Sequence, residues 1–380
     1  MKVTTVLGTR PEIIRLSRVM PALDRAVEHV IVHTGQNHDY ELNQVFFEDL
    51  ELRRPDRFLD AAGATACETI GAIIARTDAL LAEVRPDALL VLGDTNSCLA
   101  AYPAKRRRIP VFHMEAGNRC FDQRVPEETN RRIVDHISDV NLPYSSIARE
   151  YLLREGLPPD RVIKTGSPMF EVLQHYRAKA DASGVLARLG LKAGGYYVVS
   201  AHREENIDLP GRFALLADVL NRLAAEGGLP VIVTTHPRTR KRMESERIPF
   251  DGRVRFEKPF GLTDYLHLQM HAACTLSDSG TITEESSILG FPALNIRDAH
   301  ERPEGMEEAA VMMTGLQWAT IRTALAVLRP AAGAPPPAVR PPADYQVPDV
   351  AAKVARLVIS YTGYVNRTVW QRNHNSCAVL

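Results

Sequence analysis

The chain is 380 residues long, with apolar residues at 45% and charged residues at 24%. Its 46 lysines and arginines balance 46 aspartates and glutamates. That length exceeds what one hydrophobic core usually supports, so two domains are expected. The even charge removes any global electrostatic case for nucleic acid or an anionic membrane as partner, so anion binding has to be local. No stretch approaches the roughly 18 apolar residues of a membrane span. The opening run, MKVTTVLGTRPE, meets Arg10 and Pro11 before it attains a signal-peptide core. The five cysteines (Cys67, Cys98, Cys120, Cys274, Cys377) are scattered and show no CxxC spacing. They read as reduced thiols in a cytoplasmic protein, without zinc and without a redox pair.

Along the chain, short apolar runs alternate with longer amphipathic stretches. Runs at 3–7, 29–33, 88–92, 110–114 and 140–142 read as strands, and they lead into the loops GTRPE, TGQNHD, GDTN, EAGNR and PYSS. The pattern restarts with runs at 196–200, 231–234, 273–276 and 293–296, followed by AHREENID, THPRTR, SDSGT and RDAHERPE. Strand, loop and helix repeated in this way predict α/β domains with parallel sheets and crossover helices. Between the halves lies a helical stretch at 169–180 with a glycine-bearing connection. The expected division is a first domain over 1–170 and a second over 171–354, with a C-terminal helix at about 355–380 packing back on the first. Proline and alanine dominate 329–345, which predicts an extended surface crossing.

Ligands of such sheets bind beyond the carboxyl ends of the strands, where these polar loops lie. In the loop Ser277-Asp278-Ser279-Gly280-Thr281, either Ser279 or Thr281 can cap the next helix, and Thr281 with Glu284 fits a capping box. Gly280 permits close backbone approach, amides at that helix start suit a phosphate, and Glu285 is placed to accept from ribose hydroxyls. Read alone, the segment is equally a well-capped helix. The first loop repeats the logic: Thr9 and Glu12 fit a capping box, and Arg10 stands where a fixed cation suits a diphosphate.

Acid–base candidates sit at consecutive strand ends: Asp94, Glu115, the pair Glu127 and Glu128 opening a helix, and His202 in HREEN. Each has a plainer reading, Asp94 as a helix cap and Glu127 with Glu128 as favourable charges at a helix start. Converging carboxylates raise one another's pKa, which is what abstraction of a proton from a weakly acidic carbon requires. His136, His175, His267, His271 and His374 read as ordinary structural or surface histidines. There is no HExxH, GxGxxG or GxSxG, so neither a metal, a dinucleotide cofactor nor a serine nucleophile is expected.

Seven motifs occur in order: GTRPE at 8–12, GDTNS at 93–97, MEAGNR at 114–119, PEETNRR at 126–132, HREENID at 202–208, THP at 235–237 and SDSGTITEES at 277–286. Together they resemble the motif series of the bacterial non-hydrolysing UDP-N-acetylglucosamine 2-epimerases, over nearly the whole chain. TGQNHDYELN at 34–43, MEAGNRCFDQRVPEETNR at 114–131 and RDAHERPEG at 297–305 look most like the branch that forms UDP-N-acetyl-L-fucosamine. The resemblance implies a GT-B-like architecture of two Rossmann-like domains facing across a cleft. It implies a cofactor-independent inversion at C2 of a UDP-N-acetylhexosamine, by anti elimination of UDP and syn re-addition through a 2-acetamidoglycal. Asp94, Glu115 and Glu127 would then form the acid–base set, with His202 near the diphosphate or assisting proton transfer. Arg10, Ser279 and Gly280 would hold phosphates, and Glu285 the ribose. A homodimer in surface polysaccharide precursor synthesis is also implied.

Two departures stand out. The second loop reads Gln36-Asn37-His38 where the glucosamine-specific enzymes carry glutamine-histidine, so their activating UDP-GlcNAc site is not expected to be intact. The spacing from Glu115 to Glu127 is also shorter, which fits a different hexosamine. The competing readings are a GT-B glycosyltransferase with a UDP-sugar donor, a hydrolysing epimerase and a non-catalytic nucleotide-sugar sensor.

Overall fold

The computed structural model describes residues 1–36, 47–235, 237–246, 248–328 and 340–372. Asn37 and His38 of the second loop, His236 of THP, residues 329–339 of the proline-rich crossing, His374, Cys377 and the end of the expected C-terminal helix lie outside the described residues. The chain divides into two units, one formed by Met1–Val172 with the chain from Val347 onward, the other by Leu173–Gln346.

Unit 1 holds β1 (Lys2–Leu7), β2 (Glu28–His33), β3 (Arg57–Phe58), β4 (Ala88–Leu92), β5 (Val111–Met114) and β6 (Val140–Leu142). All pair in parallel, in the order β3-β2-β1-β4-β5-β6. Unit 2 holds β7 (Tyr197–Ser200), β8 (Val231–Thr234), β9 (Val254–Glu257), β10 (Cys274–Ser277), β11 (Ala293–Asn295) and β12 (Met312–Met313), in the order β12-β11-β10-β7-β8-β9. Read from β9, this is the same doubly wound order as unit 1. Each sheet therefore has a switch point where the winding reverses, between β1 and β4 and between β7 and β10.

The inner strands are apolar on both faces because helices cover both sides of a parallel sheet. Every residue of β4 is buried. In unit 1, Val6, Val32, Leu89, Val91 and Val111 pack with Ile73, Leu80 and Leu81 of the Ala66–Val84 helix. That helix starts at an N-cap: Thr65 Oγ1 accepts from the Glu68 amide at 3.1 Å, and Glu68 Oε2 reaches back to the Ala64 amide, one residue before the cap, at 2.8 Å. In unit 2, Val199, Val231, Val233 and Leu276 pack with Phe213, Leu216 and Leu220. The periodicity misses β3, β9 and β12. All three are edge strands, two of them only two residues long, and one exposed face leaves no apolar run to read.

The helix Val350–Thr368 packs on Val19–Ala26 within unit 1. The Ala351 amide donates to Glu171 Oε2 at 2.9 Å, and Tyr364 donates to Asp160 Oδ2 at 2.6 Å. Among the described residues no helix is long and apolar enough to cross a membrane.

Candidate active site

In unit 1 the loops after β1, β4 and β5 meet at the switch point. Gly8 follows β1 where no side chain fits: a Cβ there would lie 2.0 Å from Thr34 Oγ1 and 2.2 Å from Ser97 Oγ. The helix Arg10–Leu16 follows, with Arg10 exposed at its first position. Its capping box forms only in part. Glu12 Oε2 accepts from the Gly8 amide at 3.0 Å, but the Thr9 hydroxyl donates to the same oxygen at 2.7 Å instead of accepting from a helix amide. Glu12 Oε1 accepts from the Thr95 hydroxyl at 3.1 Å, so this buried carboxyl ties the Arg10 loop to the Asp94 loop. Burial pushes its pKa up from 4.5 to about 7, and the bonds from Thr9, Gly8 and Thr95 only partly oppose the rise. A raised carboxyl beside the Asp94 loop is thus Glu12, which the sequence presents only as a capping residue.

Asp94 does not cap the turn Asn96–Ala100. Thr95 does, its Oγ1 accepting from the Ser97 amide at 3.2 Å. Asp94 Oδ2 instead accepts from Arg131 Nε at 3.1 Å, and Asn130 Nδ2 donates to the Asp94 carbonyl at 3.0 Å. Both partners sit on the helix Pro126–Ile137, which locks that helix to the β4 loop.

Glu115 has left-handed backbone, φ +64°, an unusual conformation for a residue with a side chain. It turns the chain sharply off β5, and its carboxylate lies 3.4 Å from Arg15 Nε and 3.2 Å from Asn118 Nδ2, which donates to it. Arg15 is 3% exposed and stacks 5.6 Å from the Tyr144 ring. Glu127 and Glu128 separate in role. Glu127 is half-buried in the first turn of Pro126–Ile137. Glu128 is buried, accepting from Arg131 Nη1 at 2.8 Å and Arg132 Nη2 at 2.9 Å. Burial pushes the Glu128 carboxyl up, but its bonds from Cys120, Arg132 and Arg131 outweigh that and hold it below the usual carboxylate range.

Sequence reasoning missed Arg15, Asn118 and Asn130. The signal for Arg15 was a charged residue on the apolar face of a short helix, three positions from Glu12. Gly117 closes the same loop at φ +81°, and a Cβ there would lie 2.4 Å from the Ala148 carbonyl. Gly117→Ala is expected to cost about 3 kcal/mol through backbone strain and overpacking. A urea midpoint equal to that of the parent chain would refute this.

In unit 2 the loops after β7 and β10 flank the second switch point. Asp278 is buried, and its Oδ2 accepts from the His202 amide at 3.0 Å, the Arg203 amide at 3.0 Å and Asn206 Nδ2 at 3.2 Å. His202 Nδ1 lies 3.3 Å from Asp278 Oδ1, which orients the half-buried ring. The capping box expected of Thr281 and Glu284 does not form. Thr281 is already helical (φ −73°, ψ −19°), and Glu284 is buried against Arg302 Nε at 3.3 Å. Ser279 takes part of that role, accepting weakly from the Thr281 amide at 3.4 Å. Gly280 is open: a Cβ added there would have Glu301 Oε2 as its nearest atom, at 3.5 Å. Glu285 is buried, accepting from Gln269 Nε2 at 2.8 Å. Below the loop, buried Arg297 stands 2.9 Å from Glu205 Oε1 and 3.2 Å from Glu301 Oε1.

Unit 1 thus gathers Asp94, Glu115 and the helix bearing Glu127, with Arg10 on the adjoining loop. Unit 2 gathers His202, Ser279 and Gly280 with Glu285 one turn on. Residues 21–359 match the family model described as UDP-N-acetylglucosamine 2-epimerase. The solved UDP-N-acetylglucosamine 2-epimerase from Rickettsia bellii is 47% identical with a TM-score of 0.89, covering 98% of this chain and 100% of that one. The UDP-GlcNAc 2-epimerase of Methanocaldococcus jannaschii, solved with UDP-GlcNAc and UDP, is 29% identical with a TM-score of 0.86, covering 95% and 100%. The UDP-2,3-diacetamido-2,3-dideoxy-D-glucuronate 2-epimerase of Pseudomonas aeruginosa is 32% identical over 320 residues, 83% of this chain and 88% of that one. The match along most of the chain, on two doubly wound sheets of the same order, places this protein in the UDP-N-acetylglucosamine 2-epimerase family, whose members are isomerases.

Proposed function

We propose that the protein inverts C2 of a UDP-N-acetylhexosamine without a cofactor, by anti elimination of UDP and syn re-addition through a 2-acetamidoglycal. The observation that carries this reading is the set of carboxylates at the unit 1 switch point, with Asp94 and Glu115 each beside a guanidinium. Elimination needs one group to take the C2 proton, and re-addition needs another to return one from the opposite face. Asp94, Glu115 and Glu127 form that acid–base set. Arg131 and Arg15 fix the first two and keep like charges from driving the loops apart. Departure of the diphosphate leaves negative charge, which Arg10 and the amides around Ser279 and Gly280 stabilise. His202, oriented by Asp278, assists at the diphosphate, and Glu285 receives the ribose.

The named relatives act on UDP-GlcNAc and on a diacetamido-glucuronate, which supports the UDP-hexosamine class. The loop of 114–131 and RDAHERPEG favour the UDP-6-deoxy-L-talosamine derivative as the sugar, with UDP-N-acetyl-L-fucosamine as product. A cytoplasmic homodimer supplying surface polysaccharide precursors fits that product.

Solvent deuterium incorporation at C2, followed by NMR, tests the reading. Exchange with the 6-deoxy-L-talo sugar and not with UDP-GlcNAc is the expected result. Exchange with UDP-GlcNAc alone would overturn the fucosamine assignment, and UDP accumulating in step with turnover would replace the non-hydrolysing reaction with hydrolysis. UDP binding without exchange of either sugar would refute epimerisation of both.

A further inference from the structure

His113 lies beneath the loops that carry Asp94 and Glu115, bonded to the Gly93 carbonyl and beside Asp135. It lies on β5 two residues before Glu115 and is fully buried. Its Nε2 stands 2.8 Å from the carbonyl of Gly93, the residue before Asp94. Its Nδ1 stands 2.9 Å from Asp135 Oδ1. Asp135, also fully buried, accepts from the amide of Gly117, two residues beyond Glu115, at 3.2 Å, and from Arg119 Nη1 at 2.7 Å. Arg119 in turn grips Glu155 with Nε at 2.9 Å and Nη2 at 2.7 Å. Buried contacts therefore lead from the Asp94 loop to His113 through the Gly93 carbonyl, and from Asp135 to the Glu115 loop through the Gly117 amide; between them His113 Nδ1 stands beside Asp135 without an aligned hydrogen bond.

The backbone ladder does not perform this task. It registers β4 with β5 only as far as Leu92 and Met114, with a last bond from the Gly93 amide to the Met114 carbonyl at 3.0 Å. Beyond it both loops leave the sheet through left-handed residues: Gly93 at φ +75°, Glu115 at +64° and Gly117 at +81°. Such turns have several accessible carbonyl orientations, and the His113 bond selects one at Gly93. Asp135 selects the orientation at Gly117. The same helix that carries Asp135 also carries Glu127 and the Arg131 that bonds Asp94.

We propose that His113, acting with Asp135, is a positioning residue that sets the separation and orientation of Asp94 and Glu115. The proposal rests on the assignment of those two carboxylates to the chemistry at C2. A displacement of about 1 Å in a reacting group is enough to lower turnover about 100-fold.

The test compares His113→Leu, His113→Gln and Asp135→Asn in the full-length protein. His113→Leu removes both contacts and is expected to lower kcat about 100-fold with KM within about threefold. His113→Gln, which keeps an N–H donor for the Gly93 carbonyl, is expected to recover about tenfold of that loss, with Asp135→Asn in between. C2 deuterium exchange should fall in step with kcat. A purely structural role predicts lower thermal stability with unchanged turnover per folded molecule, which would overturn the proposal. So would a loss confined to KM. If His113→Leu does not fold, the other two variants decide, and kcat within about twofold of the parent in both refutes the proposal. A parent protein that exchanges no UDP-hexosamine at C2 would instead refute the parent reading, and this inference with it. Parent exchange with fully active variants would refute this inference alone.

Discussion

Glu115→Gln and Asp94→Asn are each expected to lower turnover by about a thousandfold while UDP binding changes by less than about twofold. Both substitutions keep shape and hydrogen-bonding reach and remove only the proton-transferring carboxylate. Asn118 can still donate to the retained oxygen at 115, and Arg131 retains Glu128 when the charge at 94 is gone. The UDP contacts proposed for unit 2 lie on other loops, so binding should report intact folding. Steady-state rates with isothermal titration of UDP make the comparison. A variant keeping more than about a tenth of parental turnover would remove that residue from the acid–base set.

The second large effect is on stability and concerns Glu12. Its folded pKa, about 7, lies above its ordinary 4.5, because desolvation outweighs the bonds from Thr9, Gly8 and Thr95. The native chain therefore keeps a proton over a window in which the unfolded chain has lost it. The stability this contributes is fully present below about pH 4.5 and is lost as pH rises through about 7. Between pH 5 and pH 8 the loss amounts to about 2–3 kcal/mol. Glu12→Gln does not titrate, so its stability relative to the parent should rise by that amount over the same range. Urea melts of both proteins at pH 5 and pH 8 measure it, and parallel pH dependence would show that Glu12 does not titrate in this window. A buried carboxyl with such a cost, tying Gly8 and Thr9 to Thr95, is typical of a site where stability is given up for geometry.

Much of this was legible in local pattern. A run such as ALLVL must bury both faces, and in a chain that alternates such runs with amphipathic stretches only a helix-covered parallel sheet does that. The same alternation puts GTRPE, GDTN, EAGNR, HREEN and SDSGT at strand ends, so the candidate residues were found without coordinates. Caps were less secure. Thr65 caps its helix through the Glu68 amide, while the boxes expected of Thr9 with Glu12 and Thr281 with Glu284 do not form in full. In both failures the glutamate is buried and takes another partner, Thr95 or Arg302, from a distant part of the chain.

The amino-acid sequence by itself determined the α/β class, the two-fold repetition of the pattern and the identity of the polar loops, because periodicity and turn chemistry act over a few residues. Tertiary structure alone decided that β1 adjoins β4 and β7 adjoins β10, since strand order depends on how crossovers wind and not on any single run. That order brings Glu12 to Thr95 and Arg131 to Asp94. It also decided which carboxyl loses its water. Glu128 and Glu12 both read as acids at helix starts, but burial brings the titration of Glu12 to about 7 while the bonds from Cys120, Arg132 and Arg131 hold Glu128 low, because desolvation and hydrogen bonding sum over every neighbour in space rather than along the chain.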